Sequence, residues 1–387
     1  MAKLYYFCFF AAIGCLVPFL NVYFAGLGLS GAEIGWLSSV APLIALTANP
    51  FWGAVADRWQ IHRWVLACCA LAAGLVSLLF LAVNDFWPLL LVVVVLSFFR
   101  TPIASLLDST VLDLVRRIGG HYGRQRMWGS VGFVTVTLGL ARVVALDNLQ
   151  AAFWLHGLLL GVVCTVLGLF LPIASRKGKV ALWSGLRQLA GQRSYVTFLG
   201  AMALLGIGTS SYVNFLGLHI LALGGDSGTI AAAWAANAIA EFPMLFLGGR
   251  WFARFGYSRL IVAGFAGYAL VWSLMAVAPA PGLLLACAAL IGLCYGTLWA
   301  AAVNYASDAA PPGLNATAQA LVGAAQAGVG WGIGSVLAGY LWDGYGGQAV
   351  YWAATVAALA GGALFWLGNR HELTIGIRHT ERANSLQ

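Results

Sequence analysis

Charge is scarce in this sequence. Only 8% of the 387 residues are Asp, Glu, Lys or Arg, and 61% are hydrophobic. A soluble domain uses roughly 25% charged residues to cover its surface. This chain has too few to cover one, so its outside must face lipid. Short segments of alternating hydrophobicity are also missing, which excludes a membrane β-barrel. No Gly-x-x-x-x-Gly-Lys-Ser/Thr follows a strand, so ATP-driven work has no support. No HExxH motif and no membrane Ser/His pair is present, so no enzyme is expected. The seven cysteines (Cys8, Cys15, Cys68, Cys69, Cys164, Cys287 and Cys294) have no metal-ligand spacing and lie in apolar runs. Thiols there pack as small hydrophobes. No metal and no cofactor are expected.

What fills the chain is hydrocarbon. Twelve apolar runs can be counted, each long enough for a bilayer core of ~30 Å. Backbone groups in lipid must be paired within their own segment, so the runs are expected to be helices. The first six cover Leu4–Ala25, Glu33–Val55, Trp64–Val83, Phe86–Leu114, Tyr122–Leu146 and Gln150–Leu171. The last six cover 195–221, 228–252, 258–279, 282–307, 315–341 and 348–368. The first run has one lysine before it, no clear small-residue cleavage site, and continues past Pro18, so it reads as a retained helix. A polar segment at 175–194 separates residues 1–174 from 195–368, and a polar tail follows at 369–387.

Basic residues cluster on alternate connections. Arg58 and Arg63, Arg116 to Arg126, Arg176 to Arg193, and Arg250 to Arg259 share one side with Lys3 and the tail. The other side carries Glu33, Asp85, Asp147, Asp226 and Asp343, with no lysine or arginine. This positive-inside pattern puts both termini in the cytoplasm. The net charge of +8 then meets anionic headgroups, and no nucleic-acid partner is implied.

Six runs, a basic connection and six more suggest a duplication. Gly53-Ala-Val-Ala-Asp57-Arg58 is followed by Arg63; 196 residues later Gly249-Arg-Trp-Phe-Ala253-Arg254 is followed by Arg259. Two copies of a six-helix unit imply two halves with a path between them.

Charges inside such a bundle are costly and mark function. Asp108 lies in the inner half of the fourth run, and Arg126 opens the fifth. Adjacent antiparallel helices can bring them within ion-pair reach. The pair either opens to grip a substrate, since arginine binds carboxylate bidentately, or pins two helices. Glu241, two residues before Pro243, is the one carboxylate deep in the second half. A membrane carboxylate is a site where a proton can be carried; its alternative is an ion pair with Arg100. Arg100, just before Thr101-Pro102, either faces the path and favours an anion, or pairs with Glu241. Trp128 and Trp299 can stack an aromatic solute or anchor at the interface. Arg142 can snorkel to headgroups or pair with Asp147. Single polar groups such as Asn21, His156, Asn214, His219 and Tyr295 read first as helix–helix hydrogen bonds.

The segment GAVADRWQIHR resembles the loop signature Gly-x-x-x-Asp-Arg of the major facilitator superfamily. Within that superfamily, YGRQRMWGSVGF is similar to the fifth-helix entrance of the lactose-permease and phenylpropionate-permease groups. There, as here, an acidic residue stands 18 positions before the arginine. WAANAIAEFPMLFLGGRWFARFG is similar to the phenylpropionate-permease group, where a glutamate falls at the place of Glu241. The resemblance implies an all-α membrane protein of twelve transmembrane helices in two six-helix halves. It also implies that Asp57, Arg58 and Arg63 form a gating latch, with the aspartate seated on the start of the eleventh helix at Asn315. The segment LIGLCYGTLWA is uncharged, so a lactose-type proton relay is absent, and the fifth run lacks the Gly-Pro signature of many drug antiporters. The expectation is a multi-pass, monomeric secondary transporter of the cell (inner) membrane. It would move a small anionic solute, aromatic acids among the candidates, by proton symport, with the proton gradient as energy source. Substrate contacts fall to Asp108, Arg126, Arg100, Trp128 and Trp299, and proton coupling to Glu241 and Asp108. The alternative is a proton-coupled exporter or a sugar/nucleoside transporter on the same fold.

Overall fold

The computed structural model of the chain describes all residues except 119–120, 144–148, 172–188, 190, 244–250, 253, 311–313 and 385–387, and only the backbone of 116–118, 316 and 371–384. Among the described residues all regular structure is helical. In chain order the helices are α1 (Ala2–Gly26), α2 (Gly31–Trp59), α3 (His62–Leu81), α4 (Phe86–Ile118), α5 (Tyr122–Leu140) and α6 (Gln150–Phe170). There follow α7 (Arg193–Ala222), α8 (Ser227–Ala240), α9 (Tyr257–Ala276) and α10 (Pro281–Ala309). The last helical stretch turns at Gly346, whose φ of 74° suits glycine. It divides there into α11 (315–345) and α12 (347–384).

Nine described stretches are long and apolar enough to cross a membrane by length and composition. α5 and α8 are not among them, and the ninth, Thr317–Arg370, takes in α11 and α12 together. Several boundaries differ from the sequence expectation. α1 breaks between Leu16 and Leu20, because Pro18 has no N–H to continue the ladder. α12 runs on as helix to Asn384, where a polar tail was expected from 369. Two helices contain π-helical turns, Leu158–Cys164 in α6 and Ala324–Gly330 in α11.

α1 packs on α5 and α6, and α4 on α2 and α3. α7 packs on α11 and α12, α9 on α10 and α12, and α8 on α10. Among the described residues, the first six helices meet the last six mainly where α2 packs on α11, α5 on α8 and the second part of α1 on α7. The α2–α11 seam is close because its contact residues are small. A methyl added to Gly35 would sit 2.5 Å from the Ser335 carbonyl oxygen. Small residues let membrane helices approach in this way.

Candidate functional site

Where α1, α2, α3, α4, α7, α8 and α11 meet, they line a partly open cavity of about 260 Å³. Its wall is largely apolar, with Phe24, Phe80, Trp234 and Trp331 among the lining residues. Trp331 directly follows the π turn of α11, a local irregularity frequent at functional sites. One charged side chain lines the cavity, Arg100 of α4. No hydrogen bond or ion pair holds its guanidinium among the described residues.

The backbone around Arg100 is set by Pro102. A proline within a helix leaves the carbonyl four residues earlier without its donor. That carbonyl belongs to Phe98, and the indole N–H of Trp52 on α2 donates to it at 3.1 Å. Trp52 also packs its ring on Phe98 and Phe99. α2 thus supports the turn that presents Arg100.

Three neutral polar residues of the cavity wall, Ser38, Asn21 and Asn214, are joined to Ser335 behind them in a chain across α1, α2, α7 and α11. Ser38 Oγ donates to Asn21 Oδ1 at 3.2 Å. Asn21 Nδ2 donates to the Asn214 carbonyl at 2.9 Å, and Asn214 Nδ2 donates to Ser335 Oγ at 2.8 Å. The other buried polar residues serve packing. His156 Nδ1 meets the Ala12 carbonyl at 2.8 Å, and His219 Nε2 meets that of Met275 at 3.3 Å.

A second polar cluster lies roughly 12 Å further along α4. Arg126 Nη1 donates to Asp108 Oδ2 at 3.2 Å, and Tyr6 of α1 donates to Asp108 Oδ1 at 2.5 Å. The pair is open to solvent: the Arg126 side chain is 49% exposed and that of Asp108 29%. Arg126 also lies over the Phe10 ring at 5.7 Å, a cation–π contact. Glu241, at the end of α8, feels Arg126 electrostatically, and both act on Tyr295 of α10.

Of the expected site residues, the structure brings Asp108 and Arg126 together, with Glu241 within electrostatic reach of Arg126 and not in contact with the pair. It turns Arg100 into the cavity. The alternative of an Arg100–Glu241 pair is not formed; the charge nearest in effect to Glu241 is Arg126. Trp128 and Trp299 line no part of the cavity. Trp128 is 40% exposed, and Trp299 stacks on Tyr295 with ring centroids 6.2 Å apart. The tryptophans that do line the cavity, Trp234 and Trp331, were not singled out by sequence, because composition alone does not rank sixteen tryptophans. Asp57 does not sit on the start of α11. It takes the His62 imidazole of its own loop at 2.8 Å, while Arg63 reaches the Leu169 carbonyl at 3.4 Å and Arg58 is exposed. Arg142 is exposed, and its expected partner Asp147 lies outside the described residues, as do most of 175–194 and the side chains of Arg116 and Arg117.

Comparison with known proteins agrees with this architecture. The sequence profile of the MFS_1 like family matches residues 1–353. A maltose permease of Geobacillus stearothermophilus is 29% identical over 375 residues, 96% of this chain and 95% of that protein. A probable 3-phenylpropionic acid transporter of Escherichia coli is 27% identical over 367 residues, 92% of this chain and 93% of that protein. A crystal structure of the nucleoside transporter NupG superimposes with a TM-score of 0.86 at 18% identity, covering 95% and 98% of the two chains. At that identity the likeness is one of fold.

Proposed function

The chain belongs to the MFS_1 like family of membrane transporters, and on that premise we propose that it is a secondary transporter of a small organic monoanion with an apolar, aromatic-sized body. Transport is by alternating access and proton symport. The observation that carries this reading is the unpaired Arg100 guanidinium in an otherwise uncharged cavity. An isolated charge out of water is costly unless something pairs with it. A carboxylate fits the guanidinium fork bidentately. One free positive charge calls for one negative charge, since a second would itself be buried unpaired. The aromatic and aliphatic wall suits the rest of such a solute.

The relatives named for sugar and phenylpropionic acid transport divide on this chemistry. The wall offers one guanidinium and mostly apolar groups, where a sugar or nucleoside would need many hydroxyl-binding partners, so it favours the aromatic acid over those two readings.

In this mechanism Arg100 anchors the carboxylate. The Asp108–Arg126 pair forms the polar mouth on the Asp57 side, and Glu241 with Asp108 carries the proton. The chain crosses the membrane twelve times in two six-helix halves, 1–174 and 195–368, as a monomer with both termini cytoplasmic. Segment 175–194 connects the halves. The test is uptake into proteoliposomes with an imposed proton gradient, using aromatic monocarboxylates, dicarboxylates, maltose and nucleosides. Accumulation of a monocarboxylate is expected, lost in Arg100→Gln and uncoupled from the gradient in Glu241→Gln. Accumulation of maltose or a nucleoside alone would replace the anion reading.

A further inference from the structure

At the end of the α2–α11 seam far from Asp57, a carboxylate crosses between the two helix groups. Asp343 of α11 accepts the Gly31 N–H at 2.6 Å with Oδ1 and the Ala32 N–H at 2.8 Å with Oδ2. These are the first two residues of α2, whose N–H groups have no acceptor within their own helix. The third N–H is served locally. Ser30 Oγ accepts from Glu33 N at 3.3 Å, and Glu33 returns a bond to Ser30 N at 2.8 Å. The capping box thus leaves two donors over, and a residue more than three hundred positions away takes both. Placed there, the negative charge also meets the positive end of the helix dipole.

The same seam is closed below by Gly35 against Ser335 and above by Gly31 against Gly339. Trp36 donates to Tyr340 at 3.4 Å beside them. α2 and α11 are antiparallel, so each end of the pair offers one helix start. At this end the start is that of α2, and Asp343 occupies it. At the other end the start is that of α11, and Asp57, which stands ready on α2, is turned away to His62.

We propose that Asp343 is a latch. Its carboxylate on the start of α2 holds this end of the transporter closed, and its release is required for this end to open. The latch and an Asp57 contact on α11 exclude each other, because rocking α2 against α11 closes one end by parting the other. The duplication supports the assignment. Ser30 and Asp226 are the N-caps of α2 and α8 and stand 196 residues apart. Asp147 precedes Asp343 by the same 196 residues; it lies outside the described residues, and the proposal rests on Asp343.

The test reads conformation in the full chain without any solute, so it stands apart from the substrate reading. Spin labels go on Trp87→Cys and Tyr345→Cys, 75% and 79% exposed, in a Cys68→Ser background. A second pair on Trp59→Cys and Asp308→Cys reports the opposite end. Distance distributions are measured for the parent, Asp343→Asn and Asp343→Ala in monodisperse protein. Losing two charge-assisted bonds should lower the closed-to-open ratio at the Trp87–Tyr345 end about tenfold in Asp343→Ala. The Trp59–Asp308 distance should shorten in step. Asp343→Asn, which keeps the shape and one neutral acceptor, should fall between. If Asp343→Ala does not fold, the isosteric Asn variant alone decides. Distributions superimposable on the parent would overturn the latch, and a shift at one end without the other would overturn the exclusion between the two contacts.

Discussion

Arg100 and Arg126 sit on neighbouring helices and are held differently. Arg126 has a carboxylate, a ring beneath it and water within reach. Arg100 has a mostly apolar cavity and, among the described residues, no counter-ion. A paired charge at a half-open mouth contributes to structure modestly. A half-buried charge on an apolar wall without a partner opposes folding to the extent that it is desolvated, so its presence needs another reason. The contrast separates a guanidinium that completes the fold from one that awaits a ligand.

The largest effect should come from removing Arg100. Arg100→Gln is expected to lower kcat/KM for a monocarboxylate by roughly 100-fold, the size of a lost bidentate charged contact. Arg100→Lys should recover only part, since a point charge cannot reproduce the fork. The apo protein should melt no lower than the parent, and higher if the half-buried charge opposes folding. Uptake retained in Arg100→Gln, or a clear drop in its melting temperature, would make Arg100 a structural residue like Arg126.

Next in size is protection by ligand. A monocarboxylate at a hundred times its Kd should stabilise the parent by about 2.7 kcal/mol, read as a rise in melting temperature. Arg100→Gln should show no rise. Arg126→Gln should keep it, because that side chain lies outside the cavity. Loss of protection in Arg126→Gln alone would reverse the two assignments.

Stability tests the comparison from the other side. Arg126→Gln leaves Asp108 with Tyr6 as its hydrogen-bond donor. The pair is partly exposed, so the expected loss is about 1 kcal/mol, seen in thermal or urea unfolding. The sign should oppose that of Arg100→Gln, and identical signs would remove the distinction.

The sequence carried one of the two arginines well and the other poorly. Asp108 and Arg126 flank a short connection, so chain proximity and antiparallel packing were enough to bring them together. Nothing local decides what faces Arg100. Its surroundings come from α1, α2, α3, α7, α8 and α11 at once, and helical periodicity in a chain that is apolar all round does not say which face looks inward. Tyr6, which completes the Asp108 site from α1, was hidden for the same reason. The apolar runs were legible because lipid demands length and hydrophobicity. The turn at Gly346 falls in the connection expected between 341 and 348, whereas the break at Pro18 was missed, since the run reads as apolar straight through it, and the continuation of α12 to Asn384 ran against a polar composition. The Asp57 latch was read from a motif, yet the motif describes one end of the α2–α11 seam, and the structure has the other end fastened.

The smallest expected effect concerns how Arg100 is aimed. Pro102 deprives the Phe98 carbonyl of its helical donor, and the Trp52 indole supplies one at 3.1 Å. Trp52→Phe keeps the ring packing on Phe98 and Phe99 and removes only that donor. The loss should be about 0.5–1.5 kcal/mol in thermal unfolding. If the indole also fixes the turn that presents Arg100, KM for the monocarboxylate should rise a few-fold with kcat little changed. The same change in an Arg100→Gln background should then leave KM where it was, because no anchor remains to misalign. A stability loss with unchanged KM would confine Trp52 to the fold, and the position of Arg100 would then owe nothing to that indole.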